Sequence, residues 1–292
     1  YSKSFCKNRV FKWFDFMLSL FFIPYKSISL PDIILVSPTA PFPILPAWFW
    51  AKRLNCQLFF EVRDIWPLTL SELGNFKPTH PFIKFMGFFE RFALKNSDQI
   101  ISNLPNYCQH IKELGINRNF TYIPNGISLG ELKNSEPIDA KTKNKIPKDK
   151  FIVGYAGKFG ILNALDILVD AAEKLKDNQD IVFLFVGDGQ FKAEIIQKCC
   201  HLNLKNVFFF DPVPKKQIQS FLDFFNVCYI GLRKKKLFDY GISPFKLFDY
   251  MYSGKPILHA IDARNDLVSL ANCGLTVEAE NPEAIVRGII KL

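Results

Sequence analysis

The sequence predicts an α/β protein made of two doubly wound domains with parallel sheets. Three observations carry this reading. Short apolar runs alternate with helix-length stretches along the chain, and the alternation is broken once, by a polar segment at 128–150. The length of 292 residues suits two cores, because single cores stop growing near ~250–300 residues.

The elements follow in order. Trp13 to Ile23 is apolar but carries Asp15, and it is shorter than the ~20 residues of a membrane span, so it predicts a buried or interfacial helix. The short apolar run Asp32-Ile33-Ile34-Leu35-Val36-Ser37 ends in Ser-Pro-Thr, as a buried parallel strand entering a loop does. A helix over 43–54 and a strand over 57–62 come next, and the strand ends in Arg63-Asp64-Ile65-Trp66-Pro67. Helices over 81–95 and 105–114 alternate with strands over 98–102 and 120–123. The first domain is therefore expected at 1–127. The segment 128–150 reads as a linker, being rich in Lys, Asn, Ser, Asp and Pro without an apolar period. The second domain is expected at 151–292. Its strands are predicted at 151–155, 181–186, 207–210, 227–230 and 256–259, with helices between them.

Composition narrows the function. With 49% hydrophobic and 22% charged residues, the chain is globular, not disordered, collagenous or coiled coil. A net charge of +9 admits nucleic acid, an anionic membrane or a phosphorylated ligand as partner. The basic residues are dispersed and no recognition motif appears, so nucleic acid is not expected. The seven Cys (Cys6, Cys56, Cys108, Cys199, Cys200, Cys228, Cys273) form no CxxC and read as buried thiols of a reducing compartment. The four His are scattered, and no metal or cofactor is expected.

The candidate chemistry sits at strand ends of the second half. Gly154-Tyr155-Ala156-Gly157-Lys158-Phe159-Gly160 follows a strand, where glycines let backbone amides approach an anion and Lys158 adds a charge. Val186-Gly187-Asp188-Gly189 repeats the arrangement at the next strand end. Taken alone, each could equally be a tight turn. In the segment 240–256, Ser243 is expected as a helix N-cap with Pro244 in the first turn. Lys246 and Asp249, three apart, would share a helix face, offering a cation to a diphosphate and a carboxylate to ribose hydroxyls. An internal surface ion pair is the competing reading.

The segment 240–256 resembles the acidic donor-binding motif of retaining glycosyltransferases of family 4, which have the GT-B fold of two Rossmann-like domains facing a cleft. Within that family the chain resembles bacterial surface-polysaccharide transferases of N-acetylfucosamine type. Glu61 to Pro67, Ile123 to Ile127, Gly157 to Gly160 and Val186 to Gly189 match further family segments in the same order. The resemblance implies transfer of an N-acetylated amino sugar from a UDP-linked donor to a lipid-diphosphate-linked or saccharide acceptor, as in O-antigen or capsule synthesis. It implies donor contacts at Gly157, Lys158, Gly160, Gly187, Asp188, Val213, Gly241, Ser243, Pro244, Phe245, Lys246 and Asp249. Catalytic roles would fall to Arg63, Asp64, Lys158 and Lys246.

Two departures stand out: Gly241 occupies the place of a usual acid, and the basic pair of the first donor loop retains only Lys158. Lys246, or the run Arg233 to Lys236, could supply the second charge. The resemblance also implies a strand with a Gly-rich loop before Tyr1 and a helix after Leu292, and an inactive fragment without them. A nucleotide-sugar 2-epimerase and a non-catalytic sugar-nucleotide-binding partner of a transferase complex are the alternatives.

Finally, Phe82, Phe85, Phe88, Phe89 and Phe92 follow the helical period, with Lys84 and Arg91 on another side. Aromatic rings beside cations suit an anionic bilayer, and the relatives' lipid-linked acceptors agree with a cytoplasmic protein peripheral on the inner membrane. Packing of that face on the sheet is the plainer reading.

Overall fold

The structure, a computed structural model, describes residues 7–24, 29–74 and 76–292. Cys6 lies outside the described residues. The chain forms two compact units, residues 1–124 with 235–243, and residues 125–234 with 244–292.

The first unit contains α1 (Lys7–Leu20), β1 (Ile33–Val36), α2 (Ile44–Leu54), β2 (Gln57–Val62), α3 (Leu68–Gly74), α4 (Pro81–Asn96), β3 (Gln99–Ser102), α5 (Tyr107–Glu113) and β4 (Thr121–Tyr122). Its four strands pair in parallel in the order β1-β2-β3-β4. Alternate residues of β2, namely Leu58, Phe60 and Val62, enter a core with Met86, Phe89, Ala93 and Leu94 of α4 and Tyr107 and Ile111 of α5.

The second unit contains α6 (Leu129–Lys133), α7 (Ala140–Lys143), β5 (Phe151–Ala156), α8 (Leu165–Lys174), β6 (Ile181–Val186), α9 (Lys192–His201), β7 (Val207–Phe210), α10 (Ile218–Leu222), β8 (Val227–Gly231), α11 (Phe245–Tyr252), β9 (Ile257–Ala260), α12 (Leu267–Leu270), β10 (Gly274–Val277) and α13 (Pro282–Lys291). All pairings of its six-stranded sheet are parallel, in the order β10-β9-β8-β5-β6-β7. Helices α8, α9 and α13 pack on one face, and α10, α11 and α12 on the other. Both faces are covered, which is why β6 is apolar at every position and buried throughout. The strand order reverses between β5 and β8. Open α/β sheets bind ligands at the carboxyl ends of the strands flanking such a switch.

The observed units differ from the expected boundaries in two ways. The segment 128–150 forms α6 and α7 and buries Leu132, Ile138 and Ile146, the last two in the core of the second unit. Backbone and side-chain hydrogen bonds also tie it to the loop after β7, from Glu136 N–H to the Lys216 carbonyl at 2.8 Å and from Ser220 Oγ to the Glu136 carbonyl at 2.8 Å. Its three isolated apolar residues have no period to betray them. Residues 235–243 pack with the first unit instead of the second. Tyr240, 1% exposed, donates its hydroxyl to Glu113 at 2.6 Å, and its carbonyl accepts from Asn106 N–H.

The cysteine expectation holds in part. Cys199 and Cys228 are buried, and burial pushes their thiols up to about 11 and about 12. Cys108 and Cys200 are exposed instead. Cys200 follows the buried Cys199 on one helix, so ~100° of rotation carries it to the solvent side.

Helix α4 also corrects its expected face. The buried stripe is Ile83, Met86, Phe89, Glu90, Ala93 and Leu94. Phe82 and Phe92 are partly buried against the core, whereas Phe85 and Phe88 are 43% and 57% exposed beside the exposed Lys84. The Phe row therefore straddles the core margin. Arg91 is held by the Leu114 carbonyl at 2.6 Å. Helix α1 seats Trp13, Phe14 and Met17 on the core and exposes Phe11, Phe16 and Leu18. Among the described residues no helix is long and apolar enough to cross a membrane.

Candidate functional site

The loops after β5 and β6 are laced together at the carboxyl edge of the second sheet. Gly157 N–H donates to the Val186 carbonyl at 3.0 Å, and Phe159 N–H to the Asp188 carbonyl at 2.8 Å. Gly187 has φ +136°, and a Cβ there would lie 2.0 Å from the Gly157 carbonyl oxygen, so only glycine permits this approach. Lys192, at the start of α9, donates to the Gly187 carbonyl at 2.9 Å and holds the second loop from behind. Asp188 is exposed, and its carboxylate accepts from Gly189 N–H.

The first loop is braced on the carbonyl of Lys158. That oxygen accepts from Tyr155 Oη at 2.7 Å and Asn163 Nδ2 at 2.9 Å. The Lys158 side chain itself is exposed. Gly160 and Ile161 lead into α8 through Ala164, whose φ of +46° lies in the left-handed region.

Helix α11 brings Lys246 to the same loop. Tyr250 anchors the helix, its buried hydroxyl accepting from Ala156 N–H at 2.7 Å at the end of β5. One turn earlier, Lys246 Nζ donates to Tyr155 Oη at 3.0 Å and Asn163 Oδ1 at 2.7 Å, and lies 4.4 Å from the Tyr155 ring centroid. A Cβ on Gly157 would stand 3.5 Å from that ammonium. These hydrogen-bond partners are neutral, and burial brings Lys246 down to about 7. The second charge thus reaches the loop from α11, onto the side chain of Asn163. Of the run Arg233 to Lys236, Arg233 and Lys234 are engaged in ion pairs, with Asp166 and Glu280 and with Glu278 and Asp262, and Lys235 and Lys236 belong to the first unit.

Asp249 does not pair with Lys246, and the internal ion pair is not formed. Its two oxygens accept from Lys215 Nζ, at 2.5 and 2.6 Å. Val213, two residues before Lys215, packs on the cluster that holds Leu247 and Tyr250. The cap differs from expectation: α11 starts at Phe245, and Pro244, not Ser243, is the N-cap residue. Phe245 is exposed. The structure thus brings Gly157, Gly187 and Lys246 together, and sets Asp249 further along the same helix.

Gly241 and Ser243 belong to the first unit, at the end of the 235–243 segment. Gly241 has φ +101°, where an acidic side chain would strain the backbone.

In the first unit Arg63 and Asp64 end β2, both exposed. Desolvation holds the Asp64 carboxyl above its usual range, against the pull of Arg63. Asp64 lines a small cavity with Trp66, Glu90 and Tyr107. The Trp66 indole N–H and the Tyr107 hydroxyl, both buried, have no hydrogen-bond partner among the described residues. Burial raises the Glu90 carboxyl, which meets His110 Nε2 at 2.7 Å. Among the described residues no three His, Cys, Asp or Glu converge on a metal site.

Sequence reasoning did not single out Lys192, Lys215 or Tyr107. Their partners lie far along the chain, and no local pattern marks them.

Comparison with known proteins places this geometry. The family model of Glycosyl transferases group 1 matches residues 138–292. WcaI of Escherichia coli (strain K12), named as a glycosyl transferase of colanic acid biosynthesis, is 25% identical over 209 residues. The match covers 69% of this chain and 51% of WcaI, so the chain spans about half the length of that curated relative. Among solved structures, sucrose-phosphate synthase (tll1590) from Thermosynechococcus elongatus superposes with a TM-score of 0.71 at 18% identity, covering 94% of this chain and 67% of that one. Anabaena Alr3699/HepE, solved in complex with UDP and glucose, gives 0.68 at 13% identity, covering 94% and 71%. WaaG, a glycosyltransferase involved in lipopolysaccharide biosynthesis, gives 0.62 at 14%, covering 90% and 76%. These likenesses show the GT-B fold. The family match runs through both laced loops and α11 and covers more than half of the residues, so the chain belongs to the group 1 glycosyl transferases.

Proposed function

We propose that the second unit binds the nucleotide-sugar donor of a retaining family 4 glycosyltransferase. The observation that carries this reading is Lys246: a half-buried ammonium bonded to neutral groups, beside two glycine loops, where the strand order reverses. A diphosphate is the ligand such a cation lacks. The donor is UDP-linked, and the UDP complexes of HepE support that class. The transferred group is an N-acetylated amino sugar, and the product enters bacterial cell-surface polysaccharide, in keeping with WcaI.

Breaking the anomeric C–O bond builds negative charge on the leaving diphosphate. Lys246 and the exposed Lys158 meet that charge, and fixed donors are worth most where charge develops. The departing phosphate takes the acceptor hydroxyl proton on the same face, which retains the anomeric configuration. No metal is required for this.

The first unit serves the acceptor. Arg63 and Asp64, both exposed, offer hydrogen bonds to a saccharide. Phe85, Phe88 and Lys84 suit an anionic membrane surface carrying a lipid-diphosphate-linked acceptor. The protein then works peripherally on the cytoplasmic face.

A mass-spectrometric screen of the protein with a panel of nucleotide sugars identifies donor and product. Lys246→Ala should weaken UDP binding roughly 10- to 150-fold, the loss of one charge-assisted contact. Unchanged affinity rejects the assignment.

A further inference from the structure

We infer that Lys215 is a positioning residue that gives the donor site its selectivity for a nucleotide with intact ribose hydroxyls. This rests on the donor-site reading above and adds a residue to it. Asp249 is 9% exposed, on the helix that carries Lys246. Its carboxylate receives one ammonium on both oxygens, at 2.5 and 2.6 Å, from a lysine 34 residues earlier in the chain. The Asp249 carbonyl accepts from Gln219 Nε2 at 3.2 Å. Lys215 and Gln219 come from consecutive turns of the segment after β7, so that segment holds Asp249 at side chain and backbone together.

The carboxylate torsion of an aspartate is broad by itself. An ammonium bridging both oxygens fixes it. Each carboxylate oxygen has two acceptor directions, and Lys215 uses one on each. One per oxygen stays open, which matches the two hydroxyl donors of a ribose diol. Neither a phosphate nor a pyrimidine ring presents that pair. The Lys215 side chain is 60% exposed against 13% for Asp249, so the lysine closes the carboxylate from the solvent side. Its stem lines a cavity of about 370 Å³ with Ile127, Leu132, Asn134 and Gln219, which leaves the ammonium room to move when the pair is broken.

Titration calorimetry with UDP and with 2′,3′-dideoxy-UDP tests this. The wild type is expected to prefer UDP. Lys215→Met should weaken UDP about tenfold, the worth of one hydrogen bond to a charged group, and leave the dideoxy nucleotide unchanged. Lys215→Arg should restore most of the preference, because a guanidinium can bridge both oxygens. In an Asp249→Asn background, Lys215→Met should have no further effect on UDP. A Lys215→Met variant that binds UDP like the wild type, or loses the same factor for both nucleotides, overturns the inference and leaves the donor site standing. A wild type that binds neither nucleotide overturns the donor-site reading, and the role of Lys215 with it.

Discussion

The two units differ in how many phenylalanines they leave on the surface. In the second unit Phe183, Phe185, Phe221 and Phe225 are at most 1% exposed, and Phe185 stacks on Phe209 at 5.3 Å. In the first unit Phe11, Phe16 and Phe22 are 70%, 56% and 83% exposed. The strands repeat the contrast: β6 is buried throughout, whereas the edge strand β1, equally apolar, exposes Ile33 and Leu35. Parallel strands with such sequences belong in sheet interiors. Composition alone therefore says little about what a phenylalanine does. The first unit buries Phe42, Phe60 and Phe89 as well, and the second exposes Phe245, so the difference lies in how many rings the first also leaves on its surface.

The sharpest way to break this comparison is by truncation. Phe183→Ala should cost ~3–5 kcal/mol of stability, whereas Phe22→Ala should stay within ~0.5 kcal/mol. Urea denaturation of both variants measures the difference, and equal costs would erase the distinction.

A smaller effect, of opposite sign, is expected inside the second unit. Lys246 titrates at about 7 when folded, below the ordinary lysine value of 10.5. Between those values the unfolded chain binds more protons, so this residue makes stability rise with pH across that window. Below pH ~7 both states are charged and the burial cost is fully present. Lys246→Met should therefore add about 1–3 kcal/mol at pH 6.5 and flatten the rise toward pH 9. Denaturation midpoints at the two pH values decide it; a less stable variant at pH 6.5 would count against a strained cation.

A small change in stability is also expected on the exposed side of α4. Phe85→Asp and Phe88→Asp should each shift stability by less than ~1 kcal/mol. Co-sedimentation with phosphatidylglycerol vesicles should fall in both. Binding that survives Phe85→Asp, or ignores lipid charge, would remove the membrane from the first unit's role.

The architecture was legible because parallel strands leave plain marks: β2, β6 and β7 match the sequence reading to the residue and the others to within one, except β10, whose short run Gly274–Val277 carries no such mark. The laced loops were legible as glycines after strands. Other features depended on distance along the chain. Nothing near Lys246 announces Asn163, 83 residues away, and nothing near Asp249 announces Lys215. The burial of Ile138 and Ile146 was hidden because single apolar residues in a polar stretch carry no period. Arg233 looked like part of a solvated basic run, yet its partners Asp166 and Glu280 lie 67 and 47 residues off. Gly241 could be read from the sequence, but not its φ of +101°.

The 235–243 segment has a consequence for how the chain is made. Tyr240 roofs the Glu90–His110 pair, its ring 5.2 Å from that of His110, and it belongs to the first unit's core. A ribosome finishes residue 124 long before it reaches Tyr240. At ~5–20 residues per second, the delay is on the order of 6 to 24 s. During that time β5, β6, β7 and β8 emerge while the first core still lacks its last aromatic ring. The first unit can therefore be completed only at residue 243, after eight strands of the chain have been made and before the last segment of the second unit, 244–292, has emerged.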